Sequence, residues 1–508
     1  MIYLVTKNQQ LFPNSLYSNI TAEESLKILQ TWDIIQFDTE TSGRDPHICD
    51  FLCIQFGNKA SNTQIVVDTT TIDINLYKNI LETKLLVGHN LKFDISFLYN
   101  YNIIPTNVWD TMIIEQLLHL GYDNKFFHYS LKDVAERRLN INIDKTTRGE
   151  IIWRGLDDAV ILYAAGDVMY LEDIRDKQLE DCELKNCFKG AQIENAFVPV
   201  IAYLEWCGIR LDVDKWKKKM QDNEKQRDEA LNEINKWVVN FYKQNITLNP
   251  QIKNEMLYMH WIATNSQGDL FSGFDTEPKC CINWSSPKQT IPFFQMLGFN
   301  TRVTDKKTGE TKDSVVEKVL AKQKGIADDF LKLYLKYKEK AKDCSTYGQN
   351  YIDAINPKTG RLHTTYWQLG AASGRMSCGS RNLNTDLAKF KNLPASRCTY
   401  PQCQNLPADE ITRSSFIPNE GNLMTACDYA ALESRLGADI YNEQAMLKEY
   451  LEGSGDIHSL VAKACFPQEL EGIEVSEIKN KRPDLRKKAK APEFACQFEL
   501  TNFYLEFY

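Results

Sequence analysis

Three short segments of the sequence carry acidic side chains at positions that can share one site. Asp38 and Glu40 follow an apolar run typical of a strand, and residues two apart on a strand point to the same face. Asp94 follows Gly88–Phe93, at a second junction between a predicted strand and a helical pattern. Tyr163 and Asp167 are four residues apart in a helical segment, so both lie on one helix face. The pattern predicts four carboxylates and one phenol around a common point.

Four carboxylates that meet in one site cannot all stay ionised unless cations neutralise them. Two divalent ions about 4 Å apart would do so, and would also bind the attacking and leaving oxygens of a phosphodiester. Mg²⁺ prefers such hard oxygen ligands, and Mn²⁺ can substitute for it. Each segment alone has an ordinary explanation, since Asp94 can cap its helix and Tyr163 and Asp167 can be a plain helix pair. The combination favours phosphodiester hydrolysis.

The surrounding pattern predicts an α/β domain followed by a mainly helical region. Residues 32–90 alternate short apolar runs with turns, which is typical of strands, and helical periodicity follows in residues 110–120 and 159–174. From about 191 to 260 the pattern is helical and amphipathic. We therefore expect three domains, at residues 1–190, 191–345 and 346–508.

Composition sets few limits on the partners of this chain. The 508 residues carry a net charge of −8, yet lysine-rich stretches at 332–342 and 479–490 supply local basic surface, which is what phosphate binding requires. Taken alone, each stretch is more simply a solvated helix face. The 14 cysteines are scattered, which favours reduced thiols over a zinc site. Because the sequence has neither a basic leader nor a long apolar run, we predict a cytoplasmic protein with no membrane contact, in the host cytoplasm if it is viral.

The acidic segments resemble the motifs of DEDDy exonucleases, in particular the proofreading domain of family A DNA polymerases. The matching stretches are Phe37–Thr41, Gly88–Asp94 and Tyr163–Asp167, with supporting text at Trp109–Met112 and Ser130–Ala135. The resemblance implies a ribonuclease H-like fold. It also implies that Asp38, Glu40 and Asp167 hold a first metal ion and that Asp38 and Asp94 reach a second. Tyr163 would orient the attacking water alongside Glu40.

A later segment, Gly360–Ser377, resembles the primer–template segment of the same family. Polar side chains on tight loops can contact phosphates and minor-groove edges, although an ordinary polar surface loop is the alternative. The family's next phrase, Gln404–Pro407, follows only after an apparent insertion at about 379–403. The resemblance implies four DNA-contacting side chains: Arg361, His363, Gln368 and Arg375.

Residues 423–435 resemble the first catalytic motif of the family's palm. The apolar run 423–427 is expected to form a strand that leads to Asp428 and then to a helix. The resemblance implies that Asp428 binds both catalytic Mg²⁺ ions and that Glu433 closes over the sugar of the incoming nucleotide. An aspartate at a helix start is otherwise a common cap.

A helical pattern near the end resembles the fingers helix that receives the nucleotide. Arg486, Lys490 and Phe494 recur every four residues and therefore share one helix face. The resemblance implies that Arg486 and Lys490 meet the triphosphate and that Phe494 stacks near the base. Glu493 and Ala495 depart from the family's usual Asn and Gly. A basic amphipathic surface helix is the alternative.

The resemblance ends near residue 498, before the palm strand that bears the second catalytic aspartate. We therefore predict a C-terminally incomplete, phage-type family member: an α/β, ribonuclease H-like exonuclease followed by a helical thumb and a partial palm and fingers. The expected partners are primer–template DNA, deoxynucleoside triphosphates and a chain that carries the missing segment. We expect exonuclease activity, and little polymerisation by this chain alone. A stand-alone exonuclease and an inactive primer–template binding fragment remain as alternatives.

Overall fold

The structure is a computed structural model that describes most of the chain. The described residues are 1–8, 11, 16–122, 127–143, 156–245, 280, 282–304, 309–321, 323, 325–379, 383–453 and 455–497. The chain separates into two compact units, Met1–Asn422 and Leu423–Tyr508.

A seven-stranded mixed sheet forms the centre of the N-terminal part. Its strands are, in chain order, β1 Ile2–Val5, β2 Ser18–Asn19, β3 Ile34–Thr41, β4 Phe51–Asn58, β5 Thr63–Asp68, β6 Leu85–Gly88 and β7 Val108–Asp110. Their spatial order is β2-β1-β5-β4-β3-β6-β7. Strand β4 runs antiparallel to its neighbours β3 and β5, whereas the other pairs are parallel. Because β3 is an interior strand, its side chains project from the faces of the sheet, away from its edges.

Helices pack against this sheet and confirm the predicted α/β class. They are α1 Ala22–Gln30, α2 Lys78–Thr83, α3 Leu91–Leu98, α4 Thr111–Leu118, α5 Leu131–Leu139, α6 Asp158–Val168, α7 Leu171–Leu184 and α8 Phe188–Cys207. Helix α6 contacts β3, β4 and β5. Its buried side includes Ala164 and Ala165, whose small side chains allow the helix backbone to approach the sheet closely. This approach brings the next residues of α6 towards β3.

The helical region that follows is built around a long pair of helices. Its elements are β8 Arg210–Leu211, α9 Val213–Asn245, α10 Pro287–Met296, β9 Arg302–Thr304, β10 Thr311–Asp313, α11 Glu317–Leu320 and α12 Asp328–Thr346. Helices α9 and α12 pack together over a cluster of buried aromatic side chains that includes Trp284, Phe293 and Phe330. The helical prediction is confirmed up to Asn245, and its last part, 246–260, lies outside the described residues.

Residues 347–422 form short elements that fold back onto β8 and α8. They are α13 Gln349–Asp353, β11 Ile355–Asn356, β12 Arg361–Leu362, β13 Tyr366–Trp367, β14 Ser377–Cys378, α14 Thr385–Phe390, α15 Glu410–Ser414 and β15 Phe416–Ile417. Strand β15 pairs with β8, and the Ile209 and Leu362 backbones form a bridge beside them. The fully buried Trp216 packs on Tyr351 and Phe416 in the small core between these pieces.

The second unit is helical in the residues described. Its helices are α16 Leu432–Ile440, α17 Gln444–Glu452, α18 Ile457–Cys465, α19 Val475–Lys481 and α20 Pro483–Gln497. Helix α20 confirms the predicted helix at Arg486 and Lys490. The strand predicted at 423–427 is wrong, because this stretch is irregular and Leu423 is 93% exposed. A strand needs a partner for its backbone hydrogen bonds, and the described residues of this unit contain no second strand.

The ends of two helices lie beside the predicted domain boundaries, since Phe188 begins α8 and Thr346 ends α12. The three-domain division itself remains a prediction. In the portion of the chain that the structure describes, every helix is too short or too polar to cross a bilayer.

Candidate active site

Three of the predicted acids converge on one point above the middle of the sheet. Asp38 and Glu40 lie on β3, and Asp167 lies near the end of α6. One carboxylate oxygen from each of the three lies within 4.8 Å of the other two. Strand alternation puts Asp38 and Glu40 on the same face, and α6 crosses that face. The structure therefore brings together residues that are more than 120 positions apart in sequence.

Tyr163 lies one helical turn before Asp167 on α6, so both side chains lie on the same side of that helix. The tyrosine is half-buried, whereas only 6% of Asp167 is exposed. Asp157 caps the start of α6 by accepting a hydrogen bond from the Val160 amide. The cap and the packed face fix the helix, and with it the two predicted site residues.

Asp94 occupies the first turn of α3, almost fully buried, and is not one of the three acids whose oxygens converge. The Thr39 hydroxyl donates a hydrogen bond to its Oδ1 at 2.6 Å. Burial raises the pKa of Asp94 well above its usual range, and the negative charge of Asp38 adds to the rise. A carboxyl group in this position releases its proton readily only when positive charge arrives nearby.

A residue that the sequence reasoning did not assign to the site, Asp110, holds Asp94 in place. Its Oδ1 accepts hydrogen bonds from the amides of Asn90, at 3.0 Å, and Met112, at 2.9 Å, while its Oδ2 accepts one from Leu91 at 2.7 Å. Asp110 therefore caps α4 and also fixes the first turn of α3. The signal was present in the sequence, because an aspartate between a strand and a helix is a typical N-cap.

The electrostatics of the site suit a hard divalent cation. Burial and the charges of Glu40 and Asp38 together raise the pKa of the Cys53 thiol, which lies on the neighbouring strand. The described residues contain one group of three or more possible ligands with converging atoms, which is Asp38, Glu40 and Asp167. Three carboxylate oxygens at this spacing match the ligands that Mg²⁺ and Mn²⁺ prefer. The donor set therefore fits a hard divalent cation.

Three of the four predicted DNA-contacting residues are held by helix α8. Arg361 donates to the Cys207 carbonyl at 2.6 Å, and Gln368 donates to the Glu194 carbonyl at 2.7 Å. His363 Nδ1 lies 2.9 Å from the Glu205 carbonyl. Arg375 is exposed, by contrast. In this structure the first three side chains join the 347–422 segment to the helix that also covers the sheet.

His363 is neutral in this environment. Its Nδ1 must donate to a carbonyl, and its Nε2 lies 2.8 Å from the Thr359 hydroxyl, which can donate to it. Its ring lies 4.4 Å, centroid to centroid, from the ring of His47. Burial lowers the pKa of His363 to about 4, and the neighbouring His47 and Arg361 act in the same direction. A cationic contact to DNA phosphate by His363 is not available in this arrangement.

The predicted polymerase residues of the second unit do not form a comparable cluster. Asp428 and Glu433 are exposed on either side of the start of α16. Arg486 donates from Nε and Nη2 to both oxygens of Asp456, at 2.9 Å each, while Lys490 is exposed. The side chain of Phe494 lies outside the described residues. Among the described residues, Asp428 belongs to no group of three potential metal ligands.

Comparisons with protein families agree with the two kinds of motif. Residues 14–181 match the family described as 3′-5′ exonuclease, and residues 275–506 match the family described as DNA polymerase family A. The first match contains all four acids of the sheet site. The second contains Arg361 to Arg375, Asp428 and helix α20.

Curated relatives include several enzymes named DNA polymerase I. The one from Aquifex aeolicus is 25% identical over 485 residues, which is 91% of this chain and 70% of that protein. The one from Borreliella burgdorferi is 25% identical over 521 residues, covering 97% of this chain and 48% of that protein. The chain thus spans 70% of the length of one curated relative and about half the length of the other.

A solved structure shares the fold over nearly the whole chain. It is described as the POL domain of Pol1 from M. smegmatis in complex with DNA primer-template and dNTP. The TM-score is 0.65 at 17% identity, and the match covers 98% of this chain and 71% of that one. At this identity, the likeness establishes the fold alone.

Proposed function

We propose, on the premise that this chain belongs to DNA polymerase family A and carries a 3′-5′ exonuclease segment, that its acidic site removes nucleotides from the 3′ end of DNA. The observation that carries the proposal is the approach of carboxylate oxygens from Asp38, Glu40 and Asp167 to within 4.8 Å of one another. Ionised carboxylates repel at this distance, so the arrangement is costly unless it binds cations.

The proposed ligands follow from the positions of the four acids. Asp38, Glu40 and Asp167 would hold one divalent ion, and Asp38 and Asp94 would reach a second, with Mg²⁺ as the proposed metal and Mn²⁺ as a substitute. Such ions, when bound, supply Lewis-acid stabilisation of the charge that develops on the phosphate. Asp94 would bind as the carboxylate, the form that its raised pKa disfavours until a cation is near.

The protein's own groups have separate tasks in the proposed hydrolysis. Glu40 and Tyr163 orient a water molecule towards the terminal phosphodiester. The water oxygen forms a bond to phosphorus while the bond to the 3′ oxygen of the preceding nucleotide breaks. The products are a nucleoside monophosphate and a strand with a new 3′ hydroxyl. Thr39 and Asp110 act through Asp94 in this proposal: Thr39 donates to its carboxylate, and Asp110 fixes the helix turn that carries it.

The test measures the loss of 3′ nucleotides from end-labelled DNA with and without Mg²⁺. Asp38→Ala and Asp167→Asn should each lower the rate by more than about 100-fold, because they remove direct ligands. Glu136→Gln is the matched control, since Glu136 is an exposed acid on α5. A folded wild-type protein that leaves 3′ ends intact in Mg²⁺ and in Mn²⁺ would overturn the proposal.

A second proposed function is template-directed DNA synthesis, favoured by the family match over residues 275–506. Its proposed partners are primer–template DNA and deoxynucleoside triphosphates, with Asp428 and Glu433 at the nucleotide and Arg486, Lys490 and Phe494 at the triphosphate and base. Arg375 is the exposed candidate for a DNA contact. For this use, Arg486 has to leave the Asp456 carboxylate. We also propose that the protein acts in the cytoplasm.

A primer-extension assay separates this function from the first. We expect this chain by itself to extend primers weakly, because among the described residues Asp428 belongs to no group of three potential metal ligands. A second chain that supplies another carboxylate should restore extension. Sustained extension by the purified chain alone would contradict this expectation. DNA binding with neither activity would instead identify an inert primer–template binding fragment.

A further inference from the structure

Two cysteines meet where the two ends of the 379–402 segment come together. Cys378 ends β14, and the Cys403 amide donates a hydrogen bond to its Sγ at 3.3 Å. The Cys403 thiol also hydrogen bonds to the same sulfur. The Thr364 hydroxyl lies 3.6 Å from it. Because the Thr364 hydroxyl donates its one proton to the Pro401 carbonyl, the donors to this sulfur include the amide and the thiol of Cys403.

The backbone at this point is closed tightly. Gly379 has a φ of +67°, and a Cβ added there would lie 2.7 Å from the Gln402 Cα and 2.9 Å from the Pro401 carbonyl oxygen. Only glycine fits such an approach, so the two chain ends are held side by side. The Thr364 hydroxyl also hydrogen bonds to the Pro401 carbonyl. The geometry that places the two sulfurs together is therefore imposed by the fold.

The donors give the two thiols different chemistry. The hydrogen bond from the Cys403 thiol, aided by the Cys403 and Gln404 amides, lowers the pKa of Cys378 to about 6, although burial opposes this. The pKa of Cys403 is raised by the same partnership and by burial. The shared hydrogen bond therefore favours the thiolate on Cys378 and the proton on Cys403. A thiolate next to a thiol is the arrangement of a reactive cysteine with a resolving partner.

We propose that Cys378 and Cys403 form an oxidation site that closes to an intramolecular disulfide, with hydrogen peroxide as the oxidant. The Cys378 thiolate attacks one peroxide oxygen, the O–O bond breaks, and hydroxide leaves, which gives a sulfenic acid. The Cys403 sulfur then attacks the sulfenic sulfur, and water leaves after proton transfer. Two thiols and one peroxide thus yield one disulfide and two waters. Because Cys378 is only 2% exposed, the oxidant has to be small.

The disulfide would lock a segment that packs on the exonuclease part. Asp386 accepts a hydrogen bond from the Arg44 amide at 2.7 Å, and Leu387 and Ala388 pack with Ile48. Oxidation therefore ties the β14 end and the Cys403 end of this segment covalently while its middle remains on the 43–48 loop. The proposal does not depend on either proposed activity.

The experiment exposes the folded, reduced protein to increasing peroxide, alkylates the remaining thiols with N-ethylmaleimide, and maps the peptides by mass spectrometry. A Cys378–Cys403 disulfide should form at least about tenfold faster than one between Cys182 and Cys187. This second pair is the matched control, because its thiols are also in contact while burial and Cys187 raise the pKa of Cys182 to about 12. Equal rates for the two pairs would overturn the proposal.

Two variants test the assigned order of attack. In Cys403→Ser the sulfenic acid at Cys378 has no thiol to resolve it, so dimedone should label Cys378. In Cys378→Ser, Cys403 should stay alkylatable at the same peroxide dose. Dimedone labelling of Cys403 in preference to Cys378, or no oxidation of either in the wild type, would refute the assignment. The wild-type comparison stands even if one variant fails to fold.

Discussion

Replacing Asp110 with asparagine tests whether a residue outside the metal site controls it. Asp110 Oδ1 accepts from the amides of Asn90, Met112 and Ile113, whereas Oδ2 accepts from the Leu91 amide alone. Asparagine keeps one acceptor oxygen and puts an amino group in the place of the other. The buried Leu91 amide then faces another donor, at the first residue of the helix that carries Asp94.

The size of the effect follows from that one lost contact. A hydrogen bond to a charged acceptor contributes about 1.5–3 kcal/mol. Burial of the wild-type carboxylate has a cost, which is why burial raises the pKa of Asp110. The neutral asparagine avoids part of that cost, so the net loss is smaller than the hydrogen bond alone. We therefore expect Asp110→Asn to lower the free energy of unfolding by about 1–2 kcal/mol. A shift of about 1 Å at Asp94 would lower the exonuclease rate by up to about 100-fold.

Urea unfolding and the 3′ nucleotide release assay measure the two effects separately. The matched control is Asp409→Asn, because Asp409 caps α15 through the Thr412 amide in the same way but lies outside the sheet site. The control should lose stability and keep its exonuclease rate. If Asp110→Asn releases nucleotides within twofold of the wild type, Asp110 has no positioning role.

Three further substitutions have expected outcomes. Gly88→Ala should destabilise the protein by about 1–3 kcal/mol, because the new Cβ would lie 2.2 Å from the Leu91 side chain. The wild type should lose free energy of unfolding as the pH falls from about 6.5 to 4, because burial lowers the pKa of His363 to about 4 and the unfolded chain therefore binds the proton first. His363→Gln should reduce this loss. Asp456→Asn should lower the free energy of unfolding by about 1–2 kcal/mol, because it breaks the paired hydrogen bonds from Arg486. Urea unfolding, repeated across the pH range for His363→Gln, measures all three.

Matched variants control for these changes. Gly166→Ala places a Cβ in open space within a helix and should raise stability by about 0.5–1 kcal/mol. Asp484→Asn removes an exposed pair with Arg482 and should leave the urea midpoint unchanged. The Gly88 prediction is contradicted if Gly166→Ala also loses stability. The His363 prediction is contradicted if the free energy of unfolding of His363→Gln depends on pH as it does in the wild type. The Asp456 prediction is contradicted if Asp456→Asn and Asp484→Asn shift the urea midpoint equally.

The acidic site could be predicted because its geometry is set over short distances. The alternation of a strand fixes the relation of Asp38 to Glu40, and one helical turn fixes that of Tyr163 to Asp167. The predicted α/β class and the resemblance to family A with a 3′-5′ exonuclease are confirmed. Sequence spacing alone does not predict which face of a sheet a helix packs on. The proximity of Asp167 to β3 was therefore predicted from the family motifs.

Features that depend on distant contacts escaped the sequence reasoning. Arg361, His363 and Gln368 look like surface residues of a polar loop, yet their partners lie on α8, more than 150 residues earlier. The stretch 423–427 has the composition of a strand but lacks a pairing partner among the described residues of its unit. In both cases, composition indicates a local preference and tertiary contacts decide the outcome.

Helix α8 packs against two parts of the molecule, the sheet and the 347–422 segment. Its Val198 and Ala202 complete the hydrophobic core under the sheet, its Asn195 accepts from the Asp110 amide, and its C-terminal end receives Arg361 and His363. A truncated variant that ends at residue 190 would lack the α8 side chains that complete its hydrophobic core. A variant that ends at Gly208 would keep them and would expose the C-terminal end of α8 to a new partner. We therefore expect a stable N-terminal fragment to end after α8 rather than before it.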